Sequence, residues 1–414
     1  MDEAERDEDW SDTTLYEVTP GFALIGGAKE GEAALWSPTS GMRIRLGTLG
    51  EALVERFQMP RSISSARHSL ARIFRGIDEV TFAEALSFLR DAGAIRVHQP
   101  NELRIPGSRG GMFNSPVLTP SEAFSGTVAN ILFLGAPYDL GVTNRPGARA
   151  APGWLRRASG ALYQYPQSAV SPPGIWDPVS ASRRLMGLRM ADLGDLTTTV
   201  HHRNGEIFDV LEDIVARTVE SGIFPVVLGG DHSLSLAVAR GAAAAAKEIG
   251  VVQFDAHDDL APSVPPDWRA ECHHGNFMSW VLEDARVKRV VQIGIRQRTP
   301  EPPYRDDRLF VLPGKSAECL TDAELLALLP DDLNWHVSFD VDVLDPSELR
   351  STGTPLPGGL SRHALSRLME VVFGQRRVVA LDVAELIPDP HSDVDALLVA
   401  DILLLAISAG ADRK

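Results

Sequence analysis

Val226-Val227-Leu228-Gly229-Gly230-Asp231-His232-Ser233 is a short apolar run that stops at two glycines and delivers a histidine. A run this short and apolar reads as a strand covered on both faces, with the glycines turning the chain just past its end. The same design recurs at Phe254-Asp255-Ala256-His257-Asp258-Asp259 and again at Phe339-Asp340-Val341-Asp342. Outward from these, further apolar runs stand at Ile131–Gly135, Leu188–Leu193, Val290–Ile295, Leu309–Leu312 and Val378–Leu381, most of them separated by helix-length segments. Each crossover between parallel strands lays a helix on the sheet, so this alternation predicts an α/β fold: a parallel eight-stranded sheet sandwiched by helices over residues 126–414. In such sheets functional residues gather just beyond the carboxyl ends of the strands, where the polar clusters quoted above fall.

The three clusters supply two imidazoles and four carboxylates: His232, Asp255, His257, Asp259, Asp340 and Asp342. Alternation along an extended chain would bring Asp255, His257 and Asp259 to one side, and likewise Asp340 and Asp342. Four carboxylates at the end of an apolar sheet repel one another, and a pair of divalent cations resolves that repulsion. Oxygen and imidazole donors without thiolate favour Mn²⁺ over a structural zinc, while ligand type alone leaves Ni²⁺ and other divalent ions open. A lone histidine or aspartate after a strand is more often a packed residue or a helix cap than a ligand, so the joint pattern carries this reading. Asp231 is the member assigned to capping, for a helix expected over Ser233–Lys247.

From about Ile131 onward the chain resembles the arginase/agmatinase (ureohydrolase) superfamily. The resemblance rests on Gly135-Ala136-Pro137-Tyr138-Asp139-Leu140-Gly141 with Arg145-Pro146-Gly147-Ala148-Arg149, which looks like the agmatinase branch. Asp192-Leu193-Gly194-Asp195, the Gly-Gly-Asp-His segment, Asp-Ala-His-x-Asp, Ser338-Phe339-Asp340-Val341-Asp342-x-Leu344-Asp345-Pro346 and Thr352-Gly353-Thr354-Pro355 follow in family order. The resemblance implies a binuclear manganese enzyme that hydrolyses guanidino groups to an amine and urea. It implies one metal on His232, Asp255, Asp259 and Asp340 and the other on His257, Asp255, Asp340 and Asp342. It also implies that Glu385 binds the guanidinium and that His274, rather than His273, shuttles a proton. Both residue types suit those tasks, a carboxylate for a planar cation and an imidazole for protons near neutrality.

The chain departs from arginases proper at Ala261 and Gln297, where those enzymes carry an asparagine and an aspartate that hold the amino-acid head of free arginine. A substrate other than L-arginine is therefore expected: agmatine-like, a guanidino acid, or the guanidino group of a peptide or natural product. Pro262–Ala270 reads as a rigid loop that shapes the entrance, with Trp268, Arg269 and Gln297 as candidate substrate contacts and a packed Trp268–Arg269 pair as the blander alternative. Two rival classes are a deacetylase of the same fold, which needs a single metal on the second site, and a non-catalytic binding protein. Such a binding protein would usually lose ligands, and all six are present here.

The rest of the chain narrows the setting. With 44% hydrophobic and 23% charged residues in 414, it is an ordinary globular chain with room for two domains. A net charge of −16 repels phosphate backbones and anionic lipid, so neither nucleic acid nor membrane is an expected partner. A homo-oligomer is expected separately from the charge. Ala396–Gly410, the most apolar stretch, contains Asp401 and is expected as a core helix. Two cysteines, Cys272 and Cys319, form no disulfide framework, and with no leader-like opening a cytoplasmic location is expected. Cys272 is expected to pack rather than react. Residues 1–14, with seven acids against Arg6 alone, read as a solvated tail. Residues 15–97 read as an accessory domain with strands at Phe22–Gly26, Glu32–Trp36 and Ala94–Val97 and helices at Leu49–Phe57 and Phe82–Ala92, the latter capped by Thr81 and Glu84 and ended by Gly93. This stretch resembles, loosely, the winged-helix peptide-binding modules of peptide-tailoring enzymes, and could serve instead as a dimerisation or structural cap. Residues 98–125, rich in Pro, Gly and Ser, are expected to be a linker.

Overall fold

All eight apolar runs form strands, buried on both faces at the centre of the sheet and partly exposed at its two edges. They are β1 (Ile131–Gly135), β2 (Met190–Asp195), β3 (Phe224–Leu228), β4 (Ile249–Phe254), β5 (Val287–Ile295), β6 (Leu309–Pro313), β7 (Asn334–Asp340) and β8 (Arg377–Ala384). In this computed structural model they form one parallel sheet in the order β2-β1-β3-β8-β7-β4-β5-β6. The residues described are 14–19, 22–25, 33–36, 43–57, 61–71, 74, 77–97, 110–124, 129–163, 174–196, 204–261, 268–299 and 305–411. They belong to two compact units, Met1–Leu103 and Arg104–Lys414, each taken by itself below.

The sheet sits between two apolar layers because successive residues of a strand face opposite sides. One layer takes Phe133, Val226, Leu228, Phe254, Val337 and Phe339, and the other takes Leu134, Val227, Val251, Val290 and Ala380. The first is closed by helices α1 (Ala151–Ser159), α4 (Arg362–Gln375) and α5 (Val394–Ala411), the second by α2 (Asn204–Glu220) and α3 (Ser235–Ala246). Among the described residues α5 is a helix long and apolar enough to cross a membrane. Its Ala396, Val399, Ala400, Leu403 and Ile407 are nevertheless buried in the first layer, in the way expected of a core helix.

Part of the stretch expected as a linker is built into this unit instead. The backbone N–H of Met112 donates to Asp192 Oδ2 at 2.8 Å, that of Leu118 donates to Asp192 O at 2.7 Å, and Phe113 is fully buried against Phe133. Composition alone misled here: Gly110, Gly111 and Asn114 serve close packing, since a Cβ on Gly111 would collide with Asp192. The acidic tail lies outside the described residues except for Thr14.

The first unit has its own core, with Leu35, Leu53, Phe57, Leu70, Phe82 and Leu89 buried together. Three antiparallel strands, Ala23–Ile25, Ala34–Trp36 and Arg43–Arg45, include the expected hairpin, and Leu15–Val18 pairs with both Arg61–Ser62 and Ile95–Val97. Its helices are Thr48–Arg56, Ile63–Leu70 and Glu79–Asp91. The last begins earlier than expected. Asp78, not Thr81, is the cap, its side chain accepting from Thr81 N at 2.8 Å, because a carboxylate at the helix start competes well for the free N–H groups. Gly93 ends the helix with φ +67°, as a left-handed stop requires.

Candidate metal centre and guanidinium site

Four adjacent strands in the middle of the sheet, β3, β8, β7 and β4, deliver every ligand-type residue to one edge. Beyond β3, Gly230 lies so close to the Tyr138 carbonyl that any Cβ would collide with it, which is why the chain needs glycine there. Asp231 then caps the short turn His232–Leu234, accepting from Ser233 N at 3.0 Å and from Gly141 N at 2.7 Å. The expected longer helix is thus split, with α3 starting at Ser235. Burial and the nearby Glu385 charge push the Asp231 carboxyl up to about 7.

Beyond β4 the chain does not stay extended. Asp259 adopts φ +50°, and this bend, rather than strand alternation, carries Asp259 back beside His232. His232, Asp255 and Asp259 each offer a ligand atom within 4.8 Å of the others, and so do Asp255, His257 and Asp342. Nδ1 of His232 stands 2.9 Å from Asp255 Oδ2, 3.0 Å from Asp259 Oδ2 and 3.3 Å from Asp340 Oδ2. Nδ1 of His257 stands 3.1 Å from Asp342 Oδ2 and 3.5 Å from Asp255 Oδ1. Asp255 therefore belongs to both groups. Asp340 joins the first through Oδ2, and its Oδ1 accepts from Asp342 N at 2.8 Å.

Whether these residues fit a pair of cations is decided by one buried atom. Nδ1 of His232 faces three carboxylate oxygens yet has no well-directed hydrogen bond. An imidazole nitrogen and three carboxylate oxygens converging on one buried point suit a cation. The charges agree. Burial raises Asp340, Asp342 and Asp259, the last to about 7, and the neighbouring carboxylates add to the rise. Burial would also raise Asp255, but hydrogen bonds and charge from His232 and His257 outweigh it and hold that carboxyl low. The same acids overcome burial at the imidazoles, holding His232 well above its ordinary range and pushing His257 up to about 12. The cluster thus retains protons where divalent ions would sit.

Glu385 follows β8 in the left-handed region at φ +62°, a conformation that costs a non-glycine residue about 1–3 kcal/mol. Its backbone N–H donates to Gly230 O at 2.9 Å, and its Oε1 accepts from His232 N at 2.9 Å. Oε1 also lies 3.1 Å from His274 Nδ1. Thr143 N donates to His274 Nε2 at 3.0 Å, so Nε2 is the acceptor and Nδ1 carries the hydrogen toward Glu385. Burial lowers the His274 pKa, but its hydrogen bond and charge contact with Glu385 more than offset this, leaving it raised. His273 lies apart, its Nδ1 accepting from Gly275 N at 3.1 Å. The Cys272 thiol is buried and burial pushes its pKa far up, so it stays a packing group.

The remaining expected contacts fall elsewhere. Trp268 stacks edge-on with Phe208 at 5.5 Å, and the arginine over its ring is Arg240, 4.6 Å from the centroid. Gln297 is exposed, with its backbone N–H donating to Ala256 O at 3.1 Å. Residues 262–267 of the Pro-rich loop lie outside the described residues. Several functional neighbours went unread in the sequence. Gln253 Nε2 donates to Asp255 Oδ2 at 2.7 Å, Gln292 Nε2 donates to Gln253 Oε1 at 2.7 Å, and Thr354 Oγ1 donates to Asp342 Oδ2 at 3.1 Å. The signal for the glutamines was present: a fully buried amide in the middle of an apolar strand must find a partner.

Known proteins resemble this chain over the same unit. The proclavaminate amidinohydrolase of Streptomyces clavuligerus is 29% identical over 287 residues, 66% of this chain and 85% of its own. Its solved structure, at 26% identity, matches with a TM-score of 0.57 over 68% of this chain and 92% of that one. The mitochondrial guanidino acid hydrolase of Homo sapiens is 29% identical, covering 72% of this chain and 82% of its own. The N(1)-aminopropylagmatine ureohydrolase of Thermus thermophilus is 30% identical, covering 68% and 92%. The Arginase family model matches residues 129–408, a span that contains all eight strands of the sheet and both ligand groups. On that span the chain belongs to the arginase family.

Proposed function

We propose that the protein hydrolyses the guanidino group of a compound other than free L-arginine, releasing urea and an amine. A pair of divalent cations would be held by His232, Asp255, Asp259 and Asp340 and by His257, Asp255, Asp340 and Asp342, with Mn²⁺ the first candidate. The observation that carries this reading is the place of one carboxylate. Glu385, 2% exposed, ties Oε1 to the His232 backbone N–H, while Oε2 lies 3.7 Å from where a Cβ on Gly353 would stand. A planar cation docked on that oxygen sits beside the ligand cluster. A deacetylase reading would use only the His257 group and give Glu385 no task.

In this reaction water adds to the guanidino carbon, the bond from that carbon to the alkyl nitrogen breaks, and the nitrogen leaves as an amine after taking a proton. The bound ions supply the Lewis acidity that makes water nucleophilic at neutral pH. Glu385 orients the guanidinium and pairs with its charge. His274, aligned by Thr143, holds a proton at Nδ1 that the leaving amine needs. Ala261 and the exposed Gln297 offer no acidic grip on an amino-acid head. The names of the three relatives, an amidinohydrolase, a guanidino acid hydrolase and an aminopropylagmatine ureohydrolase, support the same substrate class. A cytoplasmic setting is part of the proposal, supported by the free thiols of Cys272 and Cys319.

The test is urea release by the Mn²⁺-loaded protein from L-arginine, agmatine, 4-guanidinobutyrate and an arginine-containing peptide, compared by kcat/KM. The compounds without a free amino-acid head should lead. A clear preference for L-arginine, or no urea from any of them, would refute the proposal.

A further inference from the structure

On the side of His232 away from the carboxylates runs a buried chain of hydrogen bonds that the reaction above does not use. His232 Nε2 lies 2.8 Å from Ser338 Oγ. Ser338 Oγ lies 3.0 Å from Asp382 Oδ1 and 3.1 Å from Ser235 Oγ. Ser235 Oγ donates to the same Asp382 oxygen, and His336 Nε2 donates to Asp382 Oδ2. All five residues are at most 3% exposed. The arrangement follows from sheet geometry: His336, Ser338 and Asp340 occupy alternate positions of β7 and so share a face, and Ser338 is the direct register partner of Asp382 on β8.

Counting hydrogens orients the links that lead from His232 to Asp382 and leaves the Ser338–Ser235 contact without a hydrogen of its own. A carboxylate only accepts, and each serine hydroxyl has one hydrogen to give. Asp382 takes its donors from Ser235, Ser338 and His336. With its single hydrogen committed away from His232, Ser338 can meet Nε2 only as an acceptor. When the ring is neutral, Nε2 therefore carries its hydrogen, and Nδ1 is left with a lone pair facing Asp255, Asp259 and Asp340. The opposite arrangement, Ser338 donating to Nε2, would place a hydrogen on Nδ1 in the middle of the ligand group.

We propose that Asp382 is a positioning residue that sets the tautomer of His232 through Ser338, and so sets the affinity of the His232 ligand group for its metal. His336 serves this arrangement by holding the other Asp382 oxygen. Its own Nδ1 is buried without a hydrogen-bond partner, which a lone pair tolerates better than an N–H would. Outer hydrogen-bond partners of this kind typically alter metal affinity about 10–100-fold. The inference rests on the two-ion reading of the site.

The experiment is Mn²⁺ titration of the metal-free full-length chain by calorimetry, with the thermal melt of each metal-free variant measured alongside. Asp382→Asn leaves Ser338 with one acceptor oxygen fewer, and Ser338→Ala removes the relay. Each should weaken one of the two ions about 10–100-fold and spare the other. Ser235→Ala, which leaves the Ser338–Asp382 link in place, should bind both ions close to wild type. The Asp382→Asn/Ser338→Ala double variant should be no weaker than Ser338→Ala alone, as for residues acting in series. If Asp382→Asn does not fold, the contrast between Ser338→Ala and Ser235→Ala decides. The inference is overturned if Ser338→Ala binds both ions as tightly as wild type, or if Ser235→Ala weakens binding as much as Ser338→Ala does. A wild type that binds no pair of ions overturns the metal reading itself, and this inference with it.

Discussion

The two ligand groups share Asp255 but are built differently. Around His232, 1% exposed, every side of the ring meets protein: carboxylates at Nδ1, Ser338 at Nε2 and Phe277 at 4.4 Å. The side chain of His257 is 18% exposed, and its group is braced from loops, by Ala256 N donating to Asp342 Oδ1 at 3.1 Å and by Thr354. Rigid, preorganised donors bind a metal more tightly than donors that must be ordered on binding. The difference teaches that one half of this centre acts as a fixed seat, to which Glu385 is tied, and the other as an open, adjustable one.

The comparison breaks completely if the shared residue goes. Asp255→Ala should leave neither ion stably bound and reduce urea release to background, and the metal-free protein should melt lower than wild type, because the carboxylate that pairs with His232 and His257 is gone. Metal analysis after dialysis and a thermal melt would check both halves of that statement. Glu385→Gln strikes the substrate contact of the fixed seat. It should cost on the order of 10²–10³ in kcat/KM with metal content unchanged, and a variant that loses metal instead would show that Glu385 holds the seat and not the substrate.

His257→Ala should remove one ion and retain the other, and should lower the metal-free melting temperature because the imidazolium that pairs with Asp255 and Asp342 is lost. Equal loss of both ions would show that the halves are not separable. A pH series sharpens the same contrast. The folded pKa of His257, about 12, lies above its unfolded value of about 6.5, so the imidazolium–carboxylate contacts stabilise the metal-free fold fully below about 6.5 and progressively less as pH rises toward 12. Cations must displace these protons, so Mn²⁺ affinity should rise from pH 7 to 9, and the gap in melting temperature between loaded and metal-free protein should widen. The smallest effect should come from removing residues 1–103. Both ligand groups lie in the other unit, so kcat on a small guanidino compound should stay within about twofold of wild type, whereas a severe loss would tie the first unit to the catalytic core.

Much of the large unit was legible because strands buried on both faces leave unbroken apolar runs, and all eight runs became strands. The identity of the ligand-type residues was legible for a related reason: polar clusters at the ends of such runs have few structural excuses. Strand order was not legible, since nothing local in residues 377–384 says that β8 inserts between β3 and β7. Nor was the bend at Asp259, where an aspartate takes a glycine-like conformation that only the surrounding contacts can hold. Ser338 was in view as part of a motif, but its link to Asp382 depends on a register between two strands separated in sequence by a whole helix. The linker expectation failed on composition. Gly and Asn in 110–114 mark tight packing as readily as they mark freedom.

Last in order along the chain but central in space, β8 has a bearing on how the molecule comes into being. Strands β2, β1 and β3 can pair with one another, and so can β7, β4, β5 and β6, but no strand joins the two sets until β8 lies between them. During synthesis both half-sheets must therefore wait with an open, apolar edge for residues 377–384 and then for α5 to cover one face. Ribosome-bound chains halted before Arg377 should expose these edges to chaperones and proteases, whereas chains released with α5 complete should resist both. The seat for His232 and the carboxylate of Glu385 thus come into register in the same late event, after the β4–β7 pair has already brought Asp255, His257 and Asp342 together.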